Sequence, residues 1–381
     1  MSVEALNRTI ALPGRSATWF SAIALAALSV LGLLCWPDRP EPSYHGKSVS
    51  QWFDQALPLS GIKQRESGCI QAFEEMGGDA IPFLVTQIKA GPSWLELAVT
   101  WLSPRLPPRI AHLLPKPKPQ VYYDSRCYFA LELVRSGFAQ KLMKGEPISK
   151  RSVNLAISAL RIALRSPDRS IRSAAAATAR FFGPLAAPLV PELINLGRDP
   201  KTREGGSAAY ALGLMGSSAS NAVPMLINIA TFGSSDDRRT AVESLGMVGS
   251  AAYRAVPLLT SLVLGEEELR LPAARSLGMI GVTPDEVVPT FKAMSEGTNA
   301  WARSFAHLAL WNRDRQNPEL QAHVVSELQS TNFVGLLFCL SRLGTYASLF
   351  LPEINRRCEP LPEDIRVIAK WCARQIQSGS P

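Results

Sequence analysis

One glycine recurs through the middle of the chain at a nearly constant interval: Gly183, Gly216, Gly249 and Gly281, spaced 33, 33 and 32 residues apart. Eight residues after each comes a proline: Pro191, Pro224, Pro257 and Pro289. Eight residues before each comes an alanine: Ala175, Ala208, Ala241 and Ala273, and this column reaches Ala306 in the next copy. Four residues before each stand Ala179, Leu212, Leu245 and Leu277, followed by Leu310. A fixed period of this length is the mark of stacked copies of one small unit, not of a single globule with one central core.

Each column has a physical reading. The segment before the glycine carries apolar residues at helical spacing, as in Ala241, Val242, Leu245 and Val248, which make one face of a helix. The alanines of the first column are expected to let the next helix come close. The glycine ends the helix, where a left-handed residue is tolerated without a β-carbon. The proline then fits the first turn of a second helix, where its missing N–H costs nothing. Beyond it Leu193, Leu226, Leu259 and Phe291 share one column, and Leu196, Ile229, Leu262 and Met294 another. One unit is therefore helix, turn, helix, and neither helix buries its stripe until the next unit stacks on it.

Residues 209–227 (AYALGLMGSSASNAVPMLI), 241–259 (AVESLGMVGSAAYRAVPLL) and 273–291 (AARSLGMIGVTPDEVVPTF) resemble HEAT-like repeats in their short form. The ankyrin run TPLHxA is missing, and so is the Trp/Tyr/Pro pattern of tetratricopeptides. The resemblance implies an all-α fold, an α-α superhelix or HEAT-like solenoid, and the sequence places a single transmembrane helix ahead of it.

That helix is read at residues 17–36, twenty residues without a charge, flanked by Trp19 and Trp36. Its length spans a bilayer core and its ends carry interfacial aromatics. A cleaved signal peptide would put its small-x-small site at the polar end, whereas Ala24-Leu25-Ala26 lies mid-run. A lipoprotein would want a small residue before Cys35, and Leu34 stands there. An uncleaved anchor is expected, with a tail at 1–16 bearing Arg8 and Arg15 and a linker at 37–47. The short tail is expected to stay cytoplasmic, with the solenoid outside, on the periplasmic side.

The solenoid is expected over 48–376. Ser48 and Gln51 form a capping box for a helix bearing Trp52, Phe53 and Leu57. The segment containing Tyr44, Gly46, Lys47, Ser48, Val49 and Trp52 resembles the entry to the array in anchored bacterial HEAT-repeat proteins. It reads as an N-terminal cap, ahead of a ligand-binding role for His45 and Lys47. A first repeat follows at 66–90 with a shorter turn. Residues 103–125 read as an insertion: six prolines forbid a continuous helix, and Arg105, Arg109, Lys116 and Lys118 precede the first acid, Asp124. It is a surface loop or a basic partner-binding arm. Residues 126–165 read as a helix pair and 168–312 as the clear array. Past Trp311 the pattern degrades toward a last helix at 362–376 and a disordered tail at 377–381.

Chemistry is harder to find. Four histidines, His45, His112, His307 and His323, make no HExxH or other close pair, and no GxGxxG, GxxxxGK[ST] or GxSxG occurs. His307 reads as a histidine at the edge of the core. No cofactor or metal is implied. The net charge of +8 is dispersed, with no long run of one sign, so no nucleic-acid partner is expected. Cys69 and Cys339 read as members of the small-residue column, and Cys358 and Cys372 could pair in an oxidising compartment.

Two columns remain. Eleven residues before the glycine register stand Arg172, Arg238, Arg270 and Arg303, with Gly205 breaking the series. Asp168, Asp236 and Glu267 precede several of them, and acid–arginine ladders of this kind are expected to tie adjacent repeats. Four residues after the prolines stand Asn195, Asn228 and Ser261. They are the candidate partner-binding residues, expected to face a concave side. The resulting expectation is a membrane-tethered scaffold that binds a protein partner along its solenoid, without catalysis. The alternatives are an enzyme of HEAT-like form, of lyase or DNA glycosylase type, and a purely structural envelope component.

Overall fold

The computed structural model describes residues 41–57, 68–105, 114–116, 118–144, 149–198, 204–330 and 333–379. The expected anchor, the tail before it and the first four residues of the linker, 37–40, lie outside the described residues. The chain enters through a two-stranded hairpin, β1 (Ser43–Tyr44) against β2 (Lys47–Ser48). Its turn uses His45 at φ 49° and Gly46 at φ 75°, the positive pair that a tight hairpin turn demands. Helix α1 (Val49–Ala56) follows, capped by Ser48 and Gln51 as the sequence predicts. Trp52 donates from its indole to the Tyr44 carbonyl at 3.0 Å, and the Lys47 ammonium lies 4.6 Å from the Trp52 ring. Lys47 is thus engaged with the cap itself.

The helices then come in pairs. They are α2 (Cys69–Met76) and α3 (Ile81–Ile88); α4 (Trp94–Leu102), which stands apart; and α5 (Gln120–Lys144) with α6 (Lys150–Leu164). Next come α7 (Arg169–Ala179) with α8 (Val190–Leu196), α9 (Glu204–Leu214) with α10 (Val223–Phe232), and α11 (Ser235–Val248) with α12 (Val256–Gly265). The last are α13 (Glu267–Ile280) with α14 (Val288–Ser295), α15 (Ala300–Arg313) with α16 (Pro318–Leu328), α17 (Phe333–Arg342) with α18 (Leu351–Cys358), and α19 (Glu363–Ser378). First helices pack on first helices, α5 on α7, α7 on α9, α9 on α11, α11 on α13 and α13 on α15. The chain is an all-α, HEAT-like helical repeat.

In the pairs from α7 to α14 the connection contains a 3₁₀ run. All four register glycines have positive φ, between 50° and 82°, and the prolines sit at the first or second position of α8, α10, α12 and α14. The alanine column is fully buried, as are Leu212, Leu245 and Leu277. The tightest crossing, however, runs through different residues. A β-carbon on Gly213 would lie 2.9 Å from the Ser244 Cα, and one on Gly246 would lie 2.7 Å from the Ser276 Cα. Close approach therefore belongs to glycines three residues before the register, set against serines five residues before it in the next repeat. Ser276 donates to the Val242 carbonyl at 2.8 Å across that crossing. Cys339 joins this serine column, not the alanine one, because the register resumes at Gly344 (φ 56°) and Pro352.

Two further boundaries shift. Helix α5 begins at Gln120, so the irregular stretch expected through 125 ends directly after Pro119, where the last proline no longer blocks a helix. Helix α19 runs to Ser378 and Gly379 closes it at φ 66°; a β-carbon on Gly344 would lie 3.4 Å from the Gly379 Cα. Residues 377 and 378 are thus helical and Gly379 lies against Gly344, where a disordered tail was expected. Among the described residues the one stretch long and apolar enough to cross a bilayer is Ser235–Gly265. It is α11 and α12 with their connection, broken at Gly249 (φ 76°) and buried in the repeat core, so its apolar character is explained by stacking.

The array does not run straight to its end. A first core is continuous from Val49 to Leu310. A second gathers α15 to α19 and reaches back to Met247 and Met279, with Tyr210, Leu214 and Leu271 packed at its margin. Those five lie on first helices α9, α11 and α13. Helix α17 packs on α13, and α19 touches α5. The repeats therefore curl toward their first helices, and the C-terminal helices close over that inner face.

Candidate partner-binding surface

The arginine column forms a ladder along the edge where one repeat hands over to the next. A side chain in the first turn of a helix points back toward the N-terminus. Each arginine so placed reaches the end of the preceding helix, where free carbonyls and the helix dipole favour a cation. Arg172 donates to the Ser166 and Pro167 carbonyls at 2.8 and 2.9 Å, Arg238 to Ala230 at 2.9 Å, and Arg270 to Val263 at 3.1 Å. The carboxylates come from residues further along the chain. Arg172 pairs with Glu204, Arg238 with both oxygens of Glu266, and Arg303 with Glu327, at 2.7–2.9 Å. The acids expected as partners, Asp168, Asp236 and Glu267, do not fill that role: Asp168 caps α7 by accepting from Ser170 at 2.6 Å. The ladder ties repeats together, through other acids than the sequence suggested.

The polar column lies on second helices, on the side away from the curl, not on a concave face. Asn195 is exposed on α8 and its Oδ1 accepts from Arg198 at 3.2 Å. It lines a cleft of about 450 Å³ together with Leu164, Arg165, Glu192, Arg198 and the Arg172–Glu204 pair. In that cleft Glu192 is nearly buried; one oxygen takes Arg165 at 2.7 Å and Arg161 at 3.2 Å, and the other has no hydrogen-bond partner. Asn228 is half-buried on α10, and Ser261 is exposed on α12 with its hydroxyl donating to the Leu258 carbonyl at 2.7 Å. The structure does not join the three into one site. What surrounds them was not singled out from the sequence. Near the ends of α6, α10 and α12, Ile162, Phe232 and Leu264 are 50%, 66% and 49% exposed. With Asn195 on α8 they give one outward residue on each of four successive second helices.

Two other groups bear on chemistry. No histidine pair was expected, yet His307 on α15 and His323 on α16 bring their ring centroids within 4.8 Å. The His307 Nδ1 lies 3.3 Å from a Glu327 oxygen. Burial lowers the His307 pKa below the ordinary histidine value, against the pull of Glu327. Burial would raise Glu327, but hydrogen bonds from Ser304 and Arg303 hold its carboxyl below the usual range. The pair is a neutral imidazole beside an engaged carboxylate. Sequence could not show it because the two histidines are on different helices. Cys127, Cys339, Cys358 and Cys372 are free and buried, and Cys69 is buried. Burial pushes Cys69, Cys127 and Cys372 up to about 12, so none is a ready thiolate. The possible pairing of Cys358 with Cys372 is not formed. Among the described residues no group of three His, Cys, Asp or Glu side chains is placed to hold a metal.

Solved structures similar to this chain include an engineered protein at 18% identity and TM-score 0.37, covering 58% of this chain and 97% of that one. They also include the complex of CpcE and CpcF of phycocyanin lyase from Nostoc sp. PCC7120, at 16% identity and TM-score 0.38, covering 77% of this chain and 98% of that one. No family model matches the chain, and no curated protein matches it. The likeness is one of helical-repeat architecture. One expectation is corrected: catalysis was set aside because the usual motifs are missing, and that ground is insufficient. Missing motifs do not exclude an enzyme.

Proposed function

We propose that the chain is a binding module that engages another protein along its second helices, held at a membrane by residues 17–36 with the solenoid on the periplasmic side. The observations that carry this reading are the exposed Ile162, Phe232 and Leu264, one on each of α6, α10 and α12, and the cleft at Asn195 on α8. Exposed apolar surface that gathers into a patch marks an interaction site, and stacked repeats offer extended docking faces.

Proximity labelling from the full chain tests it. Phe232→Asp together with Leu264→Asp should reduce the labelled set to that of the anchor alone, with helicity by circular dichroism unchanged. An unchanged labelled set refutes the reading. Deleting residues 17–36 should move the protein to the soluble fraction, and retention in membranes argues against the anchor. A second reading keeps the enzyme alternative: a repeat protein of the phycocyanin lyase kind. Binding of purified phycocyanin, with a lyase reaction dependent on this chain, would favour it.

A further inference from the structure

The inner face holds arginines that the ladder does not explain. Arg275 on α13 and Arg342 at the end of α17 share the Phe338 ring, and Arg315 after α15 lies against Gly281 at the end of α13. A β-carbon on Gly249 would lie 3.9 Å from the Arg342 carbonyl, and one on Gly281 would lie 3.3 Å from both an Arg315 nitrogen and Leu343. Among the described residues none of the three arginines pairs with a carboxylate, and the Nε of each is buried without a hydrogen-bond partner. They lie over rings instead. The guanidinium carbons of Arg342 and Arg275 are 5.1 and 5.7 Å from the Phe338 ring, and that of Arg275 is also 5.7 Å from Phe305. Arg315 is 4.3 Å from Tyr346 and 5.8 Å from Trp311. Arg342 is 7% exposed. A buried cation without a counter-charge is costly, and ring contacts offset only part of that.

We infer that this arginine–aromatic group on the inner face is a docking site for an acidic peptide segment of a partner protein. Three guanidiniums with no acid of their own call for a ligand that brings several carboxylates. Their planar forks match carboxylates in pairs. The exposed Tyr346 (64%) and Trp301 (50%, its ring 5.9 Å from Phe305) offer apolar surface to residues between the acids. The inference rests on the reading of the chain as a protein-binding module, and it names a second face and the chemistry of what binds there.

The test uses the full chain in detergent and a fluorescein-labelled peptide of alternating Glu and Leu. Comparison probes are a Lys–Leu peptide of the same length and an oligo-dT of matched charge. The Glu–Leu peptide should bind in preference to both. The pair Arg275→Gln with Arg315→Gln should weaken it by about tenfold or more, as loss of charge-assisted bonds implies. Arg238→Gln with Arg270→Gln removes the same net charge from the ladder and should leave affinity within about twofold. Arg342→Met serves as an independent variant, with its melting curve checked first. Equal weakening by the ladder pair, preference for oligo-dT, or no binding of the Glu–Leu peptide overturns the site. None of these outcomes touches the Phe232 and Leu264 labelling result, so the two proposals fail separately.

Discussion

The handover edge and the inner face of this molecule use arginine in opposite ways. At the edge Arg172, Arg238 and Arg303 each meet a backbone carbonyl and a glutamate. On the inner face Arg275, Arg315 and Arg342 meet rings and no carboxylate among the described residues. The first arrangement is internally satisfied and holds repeats in register. The second leaves charge that the rings offset only in part. The difference separates residues that build the stack from residues that are available to something else.

The largest effect expected is from Leu245→Asp. Leu245 is fully buried on α11, whose Met247 belongs to the second core, so an unpaired carboxylate there should cost more than about 4 kcal/mol and loosen both faces together. A stable, fully helical variant on thermal melting would break the assigned register. Next comes the comparison itself. Glu327→Gln strands Arg303 beside the buried Ser304 and should cost about 3 kcal/mol in denaturant unfolding. Arg342→Met removes an unpaired cation and should leave stability unchanged or raise it. If Arg342→Met destabilises as much as Glu327→Gln, the two faces are not different in kind. Gly246→Ala should cost about 1–3 kcal/mol, since its new methyl meets the Ser276 backbone. Gly91→Ala, with open space around it, should be within about 0.5 kcal/mol of the parent.

The smallest effect is in pH. His307 has a lowered folded pKa, so the unfolded chain binds its proton first and stability falls as pH drops below about 6.5. Glu327, also lowered, contributes stability present above the usual carboxylate range and lost as pH falls through its folded value. Melting temperature followed from pH 8 to pH 5 should therefore decline, and His307→Asn should flatten the upper part of that decline. A flat profile in the parent would remove the histidine from the account.

What could be read from the sequence follows from what is local. The glycine, proline and leucine columns are local consequences of helix period and turn chemistry, and they placed α7 to α14 in register with their caps. The ladder arginines were visible because they recur, but their acids were misassigned because Glu204, Glu266 and Glu327 lie 24 to 32 residues further along the chain. The tight crossing was credited to the alanines because burial and close approach look alike in a column. Only the structure distinguishes Ala241, which is buried, from Gly246, which a backbone touches. The inner arginines form no column at all. Arg275 and Arg342 meet because the array curls, and curl is a sum of small rotations that no single repeat encodes.

The contact of α19 with α5 joins stretches more than 200 residues apart and changes how such a chain comes apart. An open stack can shed end units one at a time, each lost at the cost of one neighbour. Here the final helix works as a latch on an early one, so peeling from that end must first break a distant clasp. Assembly has the same obligation in reverse: the clasp closes only after the intervening rods are stacked, which makes it a late event in folding.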